Sequence, residues 1–466
     1  MYGAADVFQS LVNFLLVPVY TAFLTPADYG TLALLLLFGT VAKIVFRLGL
    51  DSGFFRVHYD LDSEEERGRL AGTVAVFSAL VGTAFFAGTL AGAGPLARLV
   101  LGDASPGARV LLVLAAADVF LGTFAFVPLA LLRIQDRPAL FSAMAVFRHA
   151  VNIVLKVVLV VKGLGVAGIL WSDAIATLLF SLALAPVLVR HARPAFSLPL
   201  LRAALHFGVP KVPHGILVQA LNLADRKILD MFVSRAEVGI YQLGYTFGGT
   251  VKFALSAFEP AWQPFVYSQA RRPEAPALLA RVVTWAFAAF LAVTLGVAVL
   301  GGDLLVWMTP RNPAFWSGAA IVPVVALAYA FHGAFLLGSI GIGIEKRARY
   351  YPMITAAAAA TNIGLNLLLI PRHGILGAAW ATVASYAVMA VLGFMLSRRL
   401  YPVPFETGRL CALAAGALAL FALARVAPLV LSPLPALAVR VALVAAFPAV
   451  VAVLARADVR RARLAI

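Results

Sequence analysis

The chain has 466 residues, of which 62% are hydrophobic and only 12% are charged. Ordinary soluble domains carry roughly 25% charged residues, so the composition excludes a soluble globular protein and predicts a polytopic integral membrane protein. The 37 Lys and Arg residues exceed the 21 Asp and Glu residues and give a net charge of +16. We interpret this excess as membrane topology and attraction to anionic lipid, not nucleic-acid binding, because no soluble module presents a basic face.

Predicted membrane spans follow one another along the whole chain. A helix needs about 20 apolar residues to cross the hydrocarbon layer, and the loops between the apolar stretches are too short to fold a catalytic or nucleotide-binding domain. The sequence therefore predicts about fourteen transmembrane helices. They lie near residues 3 to 24, 31 to 53, 69 to 91, 108 to 131, 138 to 160, 166 to 189, 207 to 230, 238 to 264, 282 to 301, 317 to 340, 353 to 371, 375 to 397, 410 to 430 and 436 to 455.

The loops that follow the even-numbered spans, together with the C-terminal tail, hold most of the Lys and Arg residues that lie outside the spans. The positive-inside rule therefore predicts that both termini are cytoplasmic. No basic segment or obvious cleavage site marks residues 3 to 24 as a signal peptide, so we expect them to remain as the first span. The single cysteine, Cys411, cannot form an internal disulfide.

An internal repeat relates the two halves of the chain. FLTPADYG at residues 23 to 30 returns as FVSRAEVG at residues 232 to 239, an offset of 209 residues. Several matches at nearly one spacing indicate a duplication, and duplicated membrane bundles are typical of transporters. At this offset, or one residue from it, Asn13 matches Asn222, Gly165 matches Gly374, Gly168 matches Gly377, Trp171 matches Trp380, and Asn152 and Lys156 match Asn362 and Asn366.

The repeat predicts the domain organisation. Residues 1 to 200 form an N-terminal six-helix repeat, residues 201 to 405 a second one, and residues 406 to 466 two additional helices with a cytoplasmic tail. An even number of spans in each repeat gives both the same orientation, so the repeats are predicted to be parallel. The two additional helices are either lipid-facing packing helices or a docking groove for a lipid tail.

Three segments carry a resemblance to a known family. FLLVPVYTAFLTPADYGTLAL, LGLDSGFFRVHYD and NLADRKILDMFVSRAEVGIYQLGY resemble polysaccharide flippases of the O-antigen and exopolysaccharide type, relatives of the multidrug exporters and lipid II flippases. The resemblance implies a V-shaped pair of six-helix bundles in the bacterial inner membrane. It also implies translocation of undecaprenyl-diphosphate-linked oligosaccharide to the outer leaflet for lipopolysaccharide or other surface polysaccharides, with polymerase or glycosyltransferase partners, and no cofactor.

Cations inside two predicted spans are the first candidates for binding such a cargo. Lys43 and Arg47 lie four residues apart in the second span, and Arg148, Asn152 and Lys156 repeat that spacing in the fifth. Residues at this spacing share a helix face, and charges within spans usually face a cavity or a partner. A stripe of cations can bind a diphosphate. The alternative is that Arg47 pairs with Asp51, and Arg148 and Lys156 pair with acids on neighbouring helices, while the long side chain of Lys43 reaches out of the apolar layer.

The seventh span carries a second polar face, with Lys211, His214, Asn222 and Asp225 at successive helical returns. We expect Lys211 and Asn222 to contribute to substrate binding, and His214 to take part in gating or ion coupling. Asp225 and Arg226 form either a gate or an interfacial ion pair. His214 is alternatively a hydrogen-bonded packing residue.

The eighth span contains Lys252 and Glu259, two helical turns apart. Lys252 is a further candidate for the substrate site. Glu259 lies among aromatic residues and before Pro260, where a desolvated carboxylate would exchange a proton during transport. The alternative for Glu259 is a salt bridge to a buried cation. Asp118 and Asp173 are weaker candidates.

Three functions remain open from the sequence. The preferred one is a flippase for lipid-linked oligosaccharide, coupled to an ion gradient. A multidrug exporter or a lipid II flippase of the same superfamily is the second, although a drug-cation exporter should line its cavity with acids. An envelope polymerase or ligase is the third, and would need a large outer loop or a clustered acid-base set. The sequence contains no motif for metal binding, nucleotide hydrolysis or a catalytic nucleophile.

Overall fold

The computed structural model describes residues 12 and 14–464, with side chains described as far as residue 454. Across these residues the chain is helical and has no β-strand, so the predicted all-α class is confirmed. Asn13 and most of the first predicted span lie outside the described residues. The chain divides into two compact units, Met1–Gly239 and Ile240–Ile466.

Each unit is built from long helices joined by short turns. In the first unit they are α1 (Val17–Phe23), α2 (Pro26–Arg47), α3 (Leu50–Asp60), α4 (Glu64–Ala91), α5 (Ala93–Leu101), α6 (Pro106–Ile134), α7 (Pro138–Leu159), α8 (Gly165–His191), α9 (Leu198–Gly208) and α10 (Val212–Phe232). Helix α11 (Arg235–Gly248) begins in the first unit and continues into the second. The second unit continues with α12 (Val251–Gln269), α13 (Ala275–Met308), α14 (Val322–Gly338), α15 (Ile340–Ile344), α16 (Tyr350–Leu400), α17 (Thr407–Val430) and α18 (Pro433–Leu464).

Nine helices among the described residues are long and apolar enough to cross a membrane. Two of them, Pro138–His191 and Tyr350–Leu400, each contain two predicted spans, so the nine account for eleven of the fourteen. The predicted seventh span corresponds to α10, which contains four charged residues, and the eighth is divided between α11 and α12. The chain is a multi-pass membrane protein, and the count of fourteen stays a prediction.

Glycines mark the same break in both halves. Gly165, before α8, has φ 53° and ψ −133°, and Gly374, inside α16, has φ 54° and ψ −135°. This backbone region is open essentially to glycine alone. The two residues match at the 209-residue offset, so a glycine is required at each for the same reason: the chain turns sharply between two successive spans.

The repeated sequence at residues 23 to 30 and 232 to 239 forms the same helix start twice. Thr25 caps α2, with its Oγ1 accepting from the Asp28 amide at 3.2 Å and the Asp28 carboxylate accepting from the Thr25 amide at 2.9 Å. Ser234 and Glu237 make the equivalent pair of bonds at the start of α11, at 3.3 and 3.0 Å. Each capping box satisfies two backbone donors that a helix start would otherwise leave unpaired.

The two repeated turns also contact each other through their last glycines. A Cβ on Gly30 would overlap the carbonyl oxygen of Arg235, and a Cβ on Gly239 would overlap that of Pro26. Pro26 and Arg235 are themselves 209 residues apart, so the contact is reciprocal. Both turns therefore lie at one end of the first unit, as parallel repeats require.

The compact units do not follow the predicted repeat boundary at residue 200. Helix α9 packs on α3 and α10 packs on α2, which keeps both in the first unit. Glycines make the first of these contacts close, since a Cβ on Gly49 would overlap the Gly208 carbonyl and one on Gly53 the Ala204 carbonyl. The compact units are defined by which helices pack together, whereas the boundaries at 200 and 405 are defined by the repeated sequence. The repeat boundaries stay a prediction.

The last two helices pack on α13 in the second unit. Leu413 of α17 and Phe447 of α18 are almost fully buried in an apolar cluster with Leu291 and Leu295 of α13. Arg440 of α18 also pairs with Asp303 of α13 at 2.7 Å. These contacts agree with the packing role of α17 and α18, and the choice between the two alternatives stays open.

Candidate functional site

Apart from Arg47, the cations predicted in the second and fifth spans belong to one polar cluster in the first unit. Helices α7 and α8 pack side by side and are joined by a kink at Gly163. The polar side chains on one face of α7 contact acids and a hydroxyl of α6 and α8. We call the group the polar cluster. Its members are Lys43 of α2, Asp118 of α6, Arg148, Asn152 and Lys156 of α7, and Asp173 and Thr177 of α8.

Asp118 is the centre of one half of this cluster. Lys43 Nζ lies 2.9 Å from its Oδ2, and Arg148 Nη2 lies 3.8 Å from its Oδ1. Thr177 connects the two sides, because its hydroxyl accepts from Arg148 Nη2 at 3.0 Å and donates to Asp118 Oδ1 at 2.6 Å. Two cations thus share one carboxylate, and this half of the cluster carries a net positive charge.

Asp173 is the centre of the other half. Its Oδ1 accepts from Asn152 Nδ2 at 2.9 Å and lies 2.9 Å from Lys156 Nζ. Asp173 and Thr177 are one helical turn apart on α8, just as Arg148, Asn152 and Lys156 are on α7, so two complementary stripes face each other. Here one cation meets one carboxylate, and the charge is balanced.

Exposure differs between the members of the cluster. The side chains of Lys43 and Arg148 are 40% and 37% exposed, whereas those of Asp118 and Lys156 are each 16% exposed. The acid is therefore enclosed and its two cations reach outward. A charge held in an apolar span is stable only beside a partner or a polar cavity, and Lys43 and Arg148 have both a partner and an open side.

Arg47 lies one turn from Lys43 beside a small, mainly apolar pocket of about 20 Å³. Its Nη1 pairs with Asp51 Oδ1 at 3.2 Å, and its guanidinium lies 5.6 Å from the centre of the Phe126 ring. Both partners of the ion pair are substantially exposed, so it contributes little to stability. The pocket is lined by Lys43, Phe46, Arg47, Ser78, Gly82, Val119, Thr123 and Phe126.

The contacts agree with the ion-pair alternative for Arg47, Arg148 and Lys156: Arg47 pairs with Asp51 at the start of α3, and Arg148 and Lys156 pair with acids on neighbouring helices. Binding of a cargo at Lys43, Arg47, Arg148, Asn152 and Lys156 stays a prediction. Sequence reasoning gave Asp118 and Asp173 too little weight and missed Thr177. An isolated acid in an otherwise apolar span was the available signal, since such an acid needs a cation nearby.

The candidates on α10 lie at its two ends. Asp225 and Arg226 form a 2.6 Å ion pair whose side chains are each 2% exposed. Arg226 also donates to the Asn222 carbonyl at 2.6 Å, so the pair is held inside the fold. Lys211, at the opposite end, is exposed and lies 4.2 Å from the centre of the Phe207 ring. His214 is partly buried, with its Nδ1 lacking a hydrogen-bond partner.

Lys252 and Glu259 lie on α12 in the second unit, and both are exposed. Their neighbour Trp262 is buried and packs against Phe258 at a ring separation of 5.3 Å. The aromatic residues therefore pack on one another and do not enclose the Glu259 carboxylate, contrary to the expectation that they desolvate it. Roles for Lys252 in substrate binding and Glu259 in coupling stay predictions.

The second half of the repeat has an uncharged counterpart of the α7 stripe. Asn362 and Asn366 are fully buried, and Asn366 Nδ2 donates to Asn362 Oδ1 at 2.8 Å. At the 209-residue offset Asp173 corresponds to Thr382, which is also buried. The charged residues at these corresponding positions, Lys156 and Asp173, therefore lie in the first unit.

Comparison with solved structures shows which fold the chain has. The chain resembles a lipid II flippase, MurJ, in an inward closed conformation, with a TM-score of 0.77, 12% identity and coverage of 96% of this chain and 97% of that one. It resembles an inward-facing multidrug resistance MATE family transporter of the MOP superfamily with a TM-score of 0.68, 16% identity and coverage of 84% and 94%. A MOP superfamily transporter from Pyrococcus furiosus matches with a TM-score of 0.53, 16% identity and coverage of 85% and 93%. The chain shares the fold of these three structures.

Sequence comparison gives the family. Residues 19–272, more than half of the chain, match the model of the polysaccharide biosynthesis protein family. The chain belongs to this family, and the resemblance to polysaccharide flippases is confirmed. No curated protein sequence shows significant similarity to the chain.

Proposed function

We propose that this protein is a flippase that moves undecaprenyl-diphosphate-linked oligosaccharide from the inner to the outer leaflet of the cytoplasmic membrane by alternating access. Membership of a polysaccharide biosynthesis family and a transporter fold support a cargo of this kind. The observation that carries the proposal is the cationic half of the polar cluster, where Lys43 and Arg148 share Asp118. Both termini are then cytoplasmic, and a polymerase or glycosyltransferase is the expected partner.

The chemistry of the cluster suits a diphosphate. Lys43 and Arg148 are each more than a third exposed and keep donors that Asp118 does not use. Arg47, one turn away, is held only by an exposed ion pair that an anion can displace at little cost. A guanidinium binds two phosphate oxygens at once, whereas an ammonium acts as a point charge.

A lipid II flippase is the second candidate, because the match to such a flippase covers nearly the whole of both chains. Lipid II also carries a diphosphate between a polyprenyl chain and a sugar, so the same cationic half would serve it. The two candidates differ in the glycan. An export assay that offers both lipids to the purified protein separates them.

Translocation in proteoliposomes is the direct test. Arg148→Ala should reduce flipping of a fluorescent undecaprenyl-diphosphate oligosaccharide at least tenfold while leaving protein yield unchanged. Arg148→Lys should keep part of the activity, because the charge remains but the bidentate fork is lost. Wild-type flipping by Arg148→Ala would remove the central residue of the anion site and with it this proposal.

Coupling to a proton gradient is proposed for Glu259, the exposed carboxylate of α12. Glu259→Gln removes the carboxylate at nearly constant volume, so transport should lose its dependence on the pH gradient. The reconstituted variant is assayed with and without an imposed gradient, beside wild type. Full retention of the dependence would assign Glu259 a structural role.

A further inference from the structure

An open apolar groove runs along the first unit beside Lys43 and Arg47. It has a volume of about 750 Å³ and lies between α2 and α4, with α5 and Lys227 of α10 at one end. Its polar side chains are those of Thr89 and Lys227, and the Thr89 hydroxyl is already used in a 2.9 Å bond to the Phe85 carbonyl. Ligand sites of this size and apolar character hold small molecules and lipid chains.

The groove has the length of a lipid chain within one leaflet. Its wall on α2 extends from Phe46 to Leu34, twelve residues, which at about 1.5 Å per residue is roughly 18 Å. Half of a hydrocarbon core of about 30 Å is roughly 15 Å. An extended apolar chain as long as one leaflet is thick would therefore fit along the groove.

The two ends of the groove differ in the cationic side chains that a ligand can reach. At the far end, Lys227 Nζ donates to the Val100 carbonyl at 3.1 Å and pairs with Asp230 at 3.3 Å. At the near end, Phe46 lines both the groove and the small pocket, about 20 Å³, at Lys43 and Arg47. Phe46 packs on Phe85 with ring centres 4.2 Å apart. A diphosphate would contact the exposed parts of the Lys43 and Arg47 side chains, which are 40% and 39% exposed, and would not enter the small pocket.

We propose that this groove binds the polyprenyl chain of a lipid diphosphate whose diphosphate lies at Lys43 and Arg47. The inference rests on the proposed function and adds to it the path of the tail. A lipid diphosphate joins one anionic group to one long apolar chain, and the two exposed side chains and the adjoining groove offer cations and an apolar channel in that order. Phe46 and Phe85 then contact the first isoprene units.

Gly88 gives a test that leaves the rest of the fold unchanged. It lines the groove, and a Cβ there would meet no heavy atom within 4 Å, so a larger side chain enters the groove without a clash. Gly88→Leu should fill the channel, and Gly88→Ala should fill it only slightly. Gly364→Leu is the matched control, since Gly364 also lies in a long apolar helix with open space around it.

The probes are undecaprenyl diphosphate, geranyl diphosphate and undecaprenol, titrated into the protein in phosphatidylcholine nanodiscs and followed by native mass spectrometry. Wild type should bind undecaprenyl diphosphate about tenfold or more tightly than geranyl diphosphate, since each buried methylene adds to affinity. Gly88→Leu should greatly reduce that difference, because a filled channel weakens binding of the long undecaprenyl chain far more than binding of the short geranyl chain. Gly88→Ala and Gly364→Leu should resemble wild type.

Each other outcome decides against one part of the reasoning. An unchanged affinity of Gly88→Leu for undecaprenyl diphosphate would overturn the tail groove. Phosphatidylglycerol that binds with the affinity of undecaprenyl diphosphate, in a manner that depends on Gly88, would identify the groove as a phospholipid site. That result would also overturn the proposed tail groove. If undecaprenol and undecaprenyl diphosphate bind equally well and both depend on Gly88, the protein does not recognise the diphosphate. That result would contradict the proposed function, whereas the tail groove would stand.

Discussion

Removing the charge of Asp118 should destabilise the protein and strengthen its binding of an anion at the same time. Asp118→Asn keeps the size of the side chain, so it isolates the charge that Lys43 and Arg148 share. At separations of 2.9 and 3.8 Å, the two attractions are about 6 and 4 kcal/mol for an effective dielectric constant of about 20. Desolvation cancels much of this, and both cations are exposed enough to be screened, so we expect a net loss of about 2 kcal/mol.

Thermal unfolding of the purified protein in detergent measures this loss. A deficit of about 2 kcal/mol lowers the midpoint by about 4–8 °C for a unit of this size. In the same variant, undecaprenyl diphosphate should bind up to about tenfold more tightly, because the competing carboxylate is gone, and should raise the midpoint by more than in wild type. Lys43→Met on the Asp118→Asn background should recover part of the lost stability. Weaker binding of the diphosphate by Asp118→Asn would show that Asp118 supports the anion site and does not compete for it.

Three further predictions concern the backbone of the repeat. Gly374→Ala should lower the free energy of unfolding by about 1–3 kcal/mol, because the φ of 54° at this position disfavours any side chain. Gly364→Ala in the same helix should leave the free energy of unfolding unchanged or raise it by up to about 1 kcal/mol. Equal unfolding midpoints for the two variants would contradict backbone strain at Gly374. Gly30→Val should lower the midpoint more than either, since its Cβ overlaps the Arg235 carbonyl, and an unchanged midpoint would show that the two turns can separate freely. Thr25→Ala and Ser234→Ala should each cost about 1 kcal/mol as equivalent caps, and a loss confined to one of them would separate the two turns energetically.

The fold could be predicted largely from sequence because its determinants are local. Apolar stretches of membrane length, the two capping boxes and the glycines at 165 and 374 are each visible in a short window. The Arg47–Asp51 pair is visible for the same reason, since four residues separate its members. Each of these features depends on residues that are close together in the sequence.

The partners in the polar cluster could not be predicted in this way. Lys43 meets Asp118 across 75 residues of sequence, and Thr177 meets Asp118 across 59. Such pairs depend on which helices become neighbours, and helical periodicity does not determine that. The boundary of the first unit has the same origin, because α9 and α10 stay with it through glycine contacts to α3 and packing on α2.

The unequal charge of the duplicated halves follows from the proposed cargo. A lipid diphosphate has one anionic group, so one cationic stripe suffices to bind it. A second ionised stripe would add desolvation cost without a second anion to offset it. The buried Asn362–Asn366 bond keeps the polar line of the ancestor in neutral form, while Asn152, Lys156 and Asp173 keep it charged. Positions that correspond in the two halves therefore hold a neutral hydrogen bond in one half and a charged set of side chains in the other.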